Sequence, residues 1–359
     1  MTETAAPAEA DRHDVVDHTR LQTFADRLFQ RHGMSSDDAA RIAHYFVWVE
    51  LHGLSFLGAR RIPEFIARLR EGGTNGTADG NVTRVHERDA FAVIDAGDTL
   101  AQVTGTRAME LAVDKARSAG AGIVVVRNVT TAGALGYFAM LAAERGMIGM
   151  AINNTPPVML AWGGAQPVMG AQPFSVACPA GRHQPLYLDM TNSVMSMARM
   201  YEYQRRGEEI PEDAALTIDG APTVDPATAI AGILLPMAGH RGYGLALLWE
   251  ALTGVLAGGQ RFGADVGWPA DHGQPMAVSL FLMAIDPTTS MPYETFTARV
   301  DDLIDQMHAS PPAPGVERIL VPGERSQATA AARRDGGIPI PRDIVATLEA
   351  VGSEVGVPW

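Results

Sequence analysis

Apolar residues recur along this chain with two different periods, and the change of period divides it. From residue 19 to about 85 the spacing is helical. Leu21, Phe24, Ala25, Leu28 and Phe29 share one face, and Ser35, Ser36 and Asp37 offer a helix start before the apolar pattern Ala39–Leu51. Ile62, Phe65, Ile66 and Leu69 make a third stripe, and the Gly-rich stretch Glu71–Asn81 reads as a connector. The pattern then alternates. Short apolar strands are predicted at Ala90–Asp95, Ile123–Val126 and Ile148–Ile152, with helices at Gly105–Ala119 and Gly136–Arg145 between them. Ile123–Val126 is apolar at every position, as a strand buried on both faces would be. Val176, Leu186 and Leu188 mark further strands, Leu245–Leu256 an apolar helix, and 277–285 one more strand. Amphipathic helix returns from about 292. Alternating strand and helix predicts an α/β fold. The expected division is a disordered tail at 1–18, a helical domain built from 19–85 with 292–359, and an α/β domain over 86–291.

Composition narrows the partners. A hydrophobic fraction of 47% with 19% charged residues supports a sizeable core. A net charge of −13 without a basic run argues against nucleic acid and against a polybasic membrane contact. No uninterrupted apolar stretch approaches the ~18–20 residues of a membrane span, and residues 1–18 show no secretory apolar core, so a cytoplasmic protein is expected. The single cysteine, Cys178, lies in an apolar run and reads as a buried small hydrophobe rather than a nucleophile.

General catalytic signatures are missing. There is no Gly-x-Gly-x-x-Gly between strand and helix, no P-loop, no His-Glu-x-x-His, no Gly-x-Ser-x-Gly and no histidine spacing that suits a metal. Several local stretches carry chemistry nonetheless. Gly239-His240-Arg241-Gly242-Tyr243-Gly244 precedes an apolar helix, and glycines with a cation at a helix N-terminus suit an anion such as phosphate, or merely serve turns. Asp189-Met190-Thr191-Asn192-Ser193 follows a strand and is expected to open a helix, as a cap or as a ligand contact. Met190, Met195, Met197 and Met200 read first as core and second as an adaptable pocket wall.

In this order, the stretches Arg61-Ile62-Pro63, Gln102-Val103-Thr104-Gly105, Val126-Arg127-Asn128, Asn154-Thr155-Pro156-Pro157, Trp162-Gly163-Gly164, Leu188-Asp189-Met190, Leu235-Pro236 through Gly244, Ser310-Pro311-Pro312 and Val321-Pro322-Gly323-Glu324-Arg325 make the chain resemble the malate/L-lactate dehydrogenase-type family from about residue 20 to 350. That NAD(P)-dependent family includes ureidoglycolate, sulfolactate and diketogulonate dehydrogenases and cyclic ketimine reductases. The resemblance implies a non-Rossmann cofactor domain with a mixed sheet, a helical domain over it, and a homodimer. It implies NAD(P)H contacts at Asn154, Asp189, Met190, Thr191, Asn192, Ser193, His240, Arg241, Gly323, Glu324 and Arg325. Arg241 stands where relatives commonly carry lysine, which keeps the charge and changes its geometry.

The same resemblance exposes a departure. Relatives place one acid/base histidine in a Ser-His-Gly segment and another in an Asn-His-aromatic-Gly loop. Aligned on Gly53, Gly58, Arg61 and Pro63, this chain has Phe56 and Leu57 at the Ser-His pair, and Thr131 and Ala132 at the His-aromatic pair. Ketone reduction creates an alkoxide that needs a proton from an acid of suitable pKa. Leu57 has none to give, and Thr131 cannot give one near neutral pH. Leu54, Phe56, Leu57 and Ala132 predict a more apolar substrate pocket that is wider near Ala132. Arg61 either faces a substrate carboxylate, as the resemblance implies, or makes a surface ion pair, and His52, Thr131 and Tyr137 are the remaining polar candidates for catalysis. Three readings follow: hydride transfer to an imine or iminium C=N bond, a non-redox cyclase or lyase that reuses the pocket, and a non-catalytic binding protein.

Overall fold

The computed structural model describes residues 13–78, 80–259 and 261–359. Its centre is a seven-stranded sheet in the order Thr83–Glu87, Phe91–Thr99, Ala121–Val129, Val278–Ile285, Ile148–Asn153, Phe174–Cys178, Leu186–Met190. Only Phe91–Thr99 and Ala121–Val129 pair in parallel, while the other neighbours are antiparallel. The expected β–α–β–α–β alternation is present, but the late strand Val278–Ile285 inserts between Ala121–Val129 and Ile148–Asn153. A mixed sheet results, and the inserted strand is buried along most of its length, which is why residues 277–285 are apolar without alternation.

Helices Ala101–Ala119 and Leu135–Ala143 cover one face of this sheet, and helix Ser36–Leu51 packs outside them. The other face carries Val125, Ile152 and Phe281 in a separate apolar cluster under Trp249 and Leu252. Helices from both chain ends meet on the first side. Ser326 Oγ donates to the His52 carbonyl at 2.7 Å, and Arg333 Nη1 reaches Ser55 Oγ at 3.2 Å. Between the strands Ile148–Asn153 and Val278–Ile285, four short strands with helices Met197–Arg206 and Pro226–Ile230 build a small lobe. Met195, Met200, Ile210 and Leu234 are buried in its own core with Met197 packed against them, so these three methionines are core, while Met190 is half-buried at a strand end.

Three expectations need correction. Residues 1–12 of the expected tail lie outside the described residues, but His13–Val16 is a strand paired antiparallel with Ile338–Pro341 and helix His18–Arg31 follows it. The tail composition hid a local pairing whose partner lies at the far end of the chain. The apolar helix expected from Leu245 begins earlier, at His240, and ends at Glu250 in a π-helical turn, Ala251–Val255. Residues 189–193 do not open a helix. Asp189 and Met190 end a strand, and the next helix starts at Met197 with Ser196 as its cap. No helix among the described residues is long and apolar enough to cross a membrane.

Candidate functional site

Strand Ala121–Val129 leaves the sheet into the turn Thr131–Ala134, and helix Leu135–Ala143 starts there. Three side chains hold this turn. Gln102, fully buried at the start of its helix, donates from Nε2 to the carbonyls of Thr131 and Ala132, each at 3.0 Å. Tyr45, from helix Ser36–Leu51, accepts the Ala134 N–H on its hydroxyl at 2.8 Å. Asp189 crosses from the end of its strand, and its Oδ2 accepts the Gly136 N–H at 2.7 Å. Asp189 is therefore a cap, but of helix Leu135–Ala143 rather than of the segment after it. Gly133 has φ +74, and a Cβ there would overlap the Tyr45 hydroxyl, so this turn requires glycine.

The electrostatics of the turn centre on Asp189. Burial pushes its carboxyl up to about 6, against the lowering pull of the Gly136 and Leu135 amides. Burial also raises the Tyr45 phenol well above its ordinary value, so it stays protonated. The three side chains that hold the turn, Gln102, Tyr45 and Asp189, include no imidazole. Leu54 and Leu57 are half-buried against the main core, and Phe56 is half-buried in the short 3-10 turn Ser55–Leu57. Glu50 fixes that segment by accepting from Ser55 Oγ at 2.7 Å and from the Ala59 N–H at 2.8 Å, and burial raises its carboxyl. Ala132 has no exposed surface, so the expected widening of a pocket beside it is not found. The space near the turn is taken by Tyr45.

The polar candidates separate accordingly. Arg61 Nη2 is paired with Glu64 at 2.7 Å, while its Nε is buried without a partner. The ion pair is made, yet one donor remains uncommitted. His52 is buried, stacked on Trp48 with ring centroids 3.8 Å apart, and bonded through Nδ1 to the Trp48 carbonyl at 2.8 Å. Burial lowers its pKa to about 4. It is a neutral core residue. Tyr137 is buried with its hydroxyl 3.2 Å from His44 Nδ1, and burial raises its phenol to about 12. Its ring packs edge-on against Tyr45 and Trp48. The half-buried Cys178 thiol is pushed up to about 11 by burial, which suits packing and not nucleophilic attack.

The expected cofactor residues also divide. Asn154 has no exposed surface. Its Oδ1 accepts from the Ser279 N–H at 2.7 Å and its Nδ2 donates to Glu250 at 3.1 Å, so it ties strands to helix His240–Glu250. Thr191, Asn192 and Ser193 make hydrogen bonds to their own loop and its neighbour, while Asn192 Oδ1 is buried without a partner. Ser193 Oγ donates to the Met195 carbonyl at 2.7 Å, and Asn192 Nδ2 to Gln172 and Ala171. Met190 sits in the strand ladder opposite Phe174. Glu324 is held by His308 at 3.1 Å and Arg318 at 3.0 Å. What remains open to solvent is His240, Arg241 and Arg325. Arg241 and Arg325 stand in the first turns of helices His240–Glu250 and Glu324–Gly336, where a cation adds to the positive helix end. Gly323 starts the second of these with φ +91, and a Cβ there would meet Tyr187 at 2.6 Å. Tyr45 and Gln102 hold the turn, and sequence reasoning did not single them out as site residues. Gln102 lies within a stretch that carries the resemblance, whereas Tyr45 hides in an apolar helical run.

Known proteins share the fold and the family of this chain. The family model described as Malate/L-lactate dehydrogenase matches residues 16–349. An L-sulfolactate dehydrogenase of Methanocaldococcus jannaschii is 36% identical over 92% of this chain and 94% of its own length. A Delta(1)-pyrroline-2-carboxylate/Delta(1)-piperideine-2-carboxylate reductase of Pseudomonas putida is 30% identical over 86% of this chain and 89% of its own. The solved structure of malate dehydrogenase from Pyrococcus horikoshii superposes with a TM-score of 0.88 at 30% identity, covering 99% of each chain.

Proposed function

Because this chain belongs to the malate/L-lactate dehydrogenase family of oxidoreductases, we propose that it is an NAD(P)H-dependent enzyme whose substrate is an imine or iminium rather than a ketone. The observation that carries this reading is the Asp189 carboxyl, which accepts the Gly136 N–H at 2.7 Å at the turn where the resemblance leads one to expect an imidazole, and which burial pushes up to about 6. At neutral pH Asp189 is mostly ionised. An anion there favours a cationic iminium over a neutral ketone, and Leu57 and Thr131 supply no acid for an alkoxide. A protonated C=N group already carries its proton, so hydride delivery leaves a neutral amine. The reductase relative from Pseudomonas putida is named for cyclic C=N substrates, which supports the same chemistry.

The residues present fit a nicotinamide dinucleotide at its phosphates. Arg241 and Arg325 are exposed at helix N-termini with no carboxylate partner among the described residues, a combination that suits an external anion. When bound, the cofactor supplies the hydride. A ureidoglycolate dehydrogenase relative from Escherichia coli is named for NAD(+). The protein's own part is to orient and to hold charge: Arg241 and Arg325 on phosphate, Arg61 through its uncommitted Nε on a substrate carboxylate, and Asp189 beside the cation. We further read the chain as a homodimer, since Leu247, Leu248, Val255 and Leu256 are exposed along helix His240–Glu250 and its π turn.

A titration of the purified protein with NADH and with NADPH tests the cofactor. Turnover of Δ1-piperideine-2-carboxylate against oxaloacetate, followed by nicotinamide absorbance, tests the substrate. The expected result is binding of at least one cofactor and a higher kcat/KM for the cyclic imine. Failure to bind either cofactor, or faster reduction of the keto acid, overturns the reading.

A further inference from the structure

We propose that Tyr45 is a positioning residue of this site, one that sets the Thr131–Ala134 turn and, through it, the place of the Asp189 carboxylate. The proposal rests on the reading of Asp189 given above and adds a residue that lies in a different element, nearly ninety positions earlier in the chain.

Helix Leu135–Ala143 begins with N–H groups that no residue of its own first turn satisfies. Asp189 takes the Gly136 N–H at 2.7 Å, and the Tyr45 hydroxyl takes the Ala134 N–H at 2.8 Å. The two acceptors thus hold amides two residues apart, and the backbone between them cannot rotate without breaking one or the other. Gly133 closes the arrangement. Its positive φ of 74 brings the backbone so near the phenol that a side chain would overlap the hydroxyl oxygen. Gln102 fixes the preceding two carbonyls. Tyr45 is itself immobilised, with its ring edge-on to Phe46 at 5.4 Å and to Tyr137 at 5.2 Å. Relatives are expected to fill the turn with a histidine and an aromatic ring. Here Thr131 and Ala132 are small, and a phenol from a neighbouring helix supplies the bulk and the hydrogen bond. The ionisable groups that feel Asp189 are the phenols of Tyr45 and Tyr187, one from that helix and one from its own strand, and the helix amides face it from the third side.

Tyr45→Phe keeps the ring and deletes the acceptor. In the intact protein it should lower kcat for Δ1-piperideine-2-carboxylate about tenfold, the loss of one positioning hydrogen bond, and move the acid limb of the pH–rate profile. NADPH affinity should stay within about twofold, because the partners of Tyr45 are Ala134, Phe46 and Tyr137 rather than Arg241 or Arg325. Hydrogen exchange reads the same claim without turnover: the Ala134 and Gly136 amides should both exchange faster in the variant. Gly133→Ala supplies a second check. It overlaps the hydroxyl in the native protein, whereas with Phe at 45 the nearest atom would be the ring carbon Cζ at 3.0 Å. The double variant should therefore be no less stable than Gly133→Ala alone. A Tyr45→Phe protein that melts earlier but keeps its kcat and acid limb overturns the proposal. So do native exchange rates at Gly136, even where the imine substrate itself proves wrong and the reading of the reaction falls.

Discussion

Helices Leu135–Ala143 and His240–Glu250 both begin in glycine-containing turns, and their N-termini are used in opposite ways. Helix Leu135–Ala143 has its first amides taken by Tyr45 and Asp189, groups of the protein's own. Helix His240–Glu250 has no side-chain cap, and it carries exposed His240 and Arg241 in its first turn. Each end presents the same partial positive charge. The first end is neutralised by an internal carboxylate, which makes it a fixed part of the fold. The second has a cation added to it, which makes it less comfortable alone and better suited to a negative ligand from outside. One end positions and the other recruits.

The largest effect should come from breaking the positioning end. Asp189→Ala leaves the Gly136 amide without its acceptor, at a cost of roughly 1–3 kcal/mol for a buried donor, and removes the anion of the site. Asp189→Asn keeps an acceptor and removes only the charge. We expect Asp189→Asn to fold with near-native stability and to lose on the order of a hundredfold in kcat/KM toward the iminium. Asp189→Ala should lose at least as much and melt earlier. If Asp189→Asn retains full activity, the carboxylate is a cap and nothing more.

The recruiting end should break more gently. Arg241→Glu changes an exposed side chain without a partner, so stability should move by less than about 0.5 kcal/mol. Cofactor affinity should fall about tenfold to a hundredfold, as loss of a charged hydrogen bond predicts, and the native affinity should weaken with added salt more than the variant's does. Equal affinities by fluorescence titration would remove Arg241 from the cofactor site.

The same contrast explains what was legible in the chain. The open end was visible: glycines, a histidine and an arginine before an apolar helix declare themselves by composition, and only the helix start was misplaced, at Leu245 instead of His240. The closed end was half visible. Colinear motifs located Thr131 and Asp189, and periodicity located helices Ser36–Leu51 and Leu135–Ala143. What periodicity does not report is which polar tip on an apolar face finds a partner. Tyr45 sits in an apolar helical run, and its bond to Ala134 spans 89 positions. Asn154, Asn192 and Ser193, expected at the cofactor, make hydrogen bonds within the fold. Small polar residues beside glycines suggest a ligand, but a buried loop must satisfy its own backbone, and these side chains do that. Strand His13–Val16 was missed because its partner, Ile338–Pro341, lies at the opposite end of the sequence.

The smallest effect is on stability against pH, and its sign separates the buried carboxyl from the buried imidazole. Asp189 has a folded pKa of about 6, raised by burial from the ordinary 3.8. Between those values the folded state holds a proton that the unfolded state has released, so this group makes stability fall as pH rises through the window. His52 has a folded pKa of about 4, lowered from 6.5. Below 6.5 the unfolded chain takes up a proton that the folded one refuses, so His52 makes stability fall as pH drops toward 4. His44, also lowered by burial, acts in the same direction as His52. The slopes of Asp189 and His52 oppose each other between pH 4 and 6, and Glu50, raised by burial, acts with Asp189. Urea denaturation across that range separates them. Asp189→Asn removes the carboxyl's contribution and should leave a protein that loses stability more steeply on acidification. His52→Phe, which keeps the stack on Trp48, should do the reverse and flatten or invert the slope. Parallel curves for the two variants would mean that neither group is as buried in solution as its contacts require.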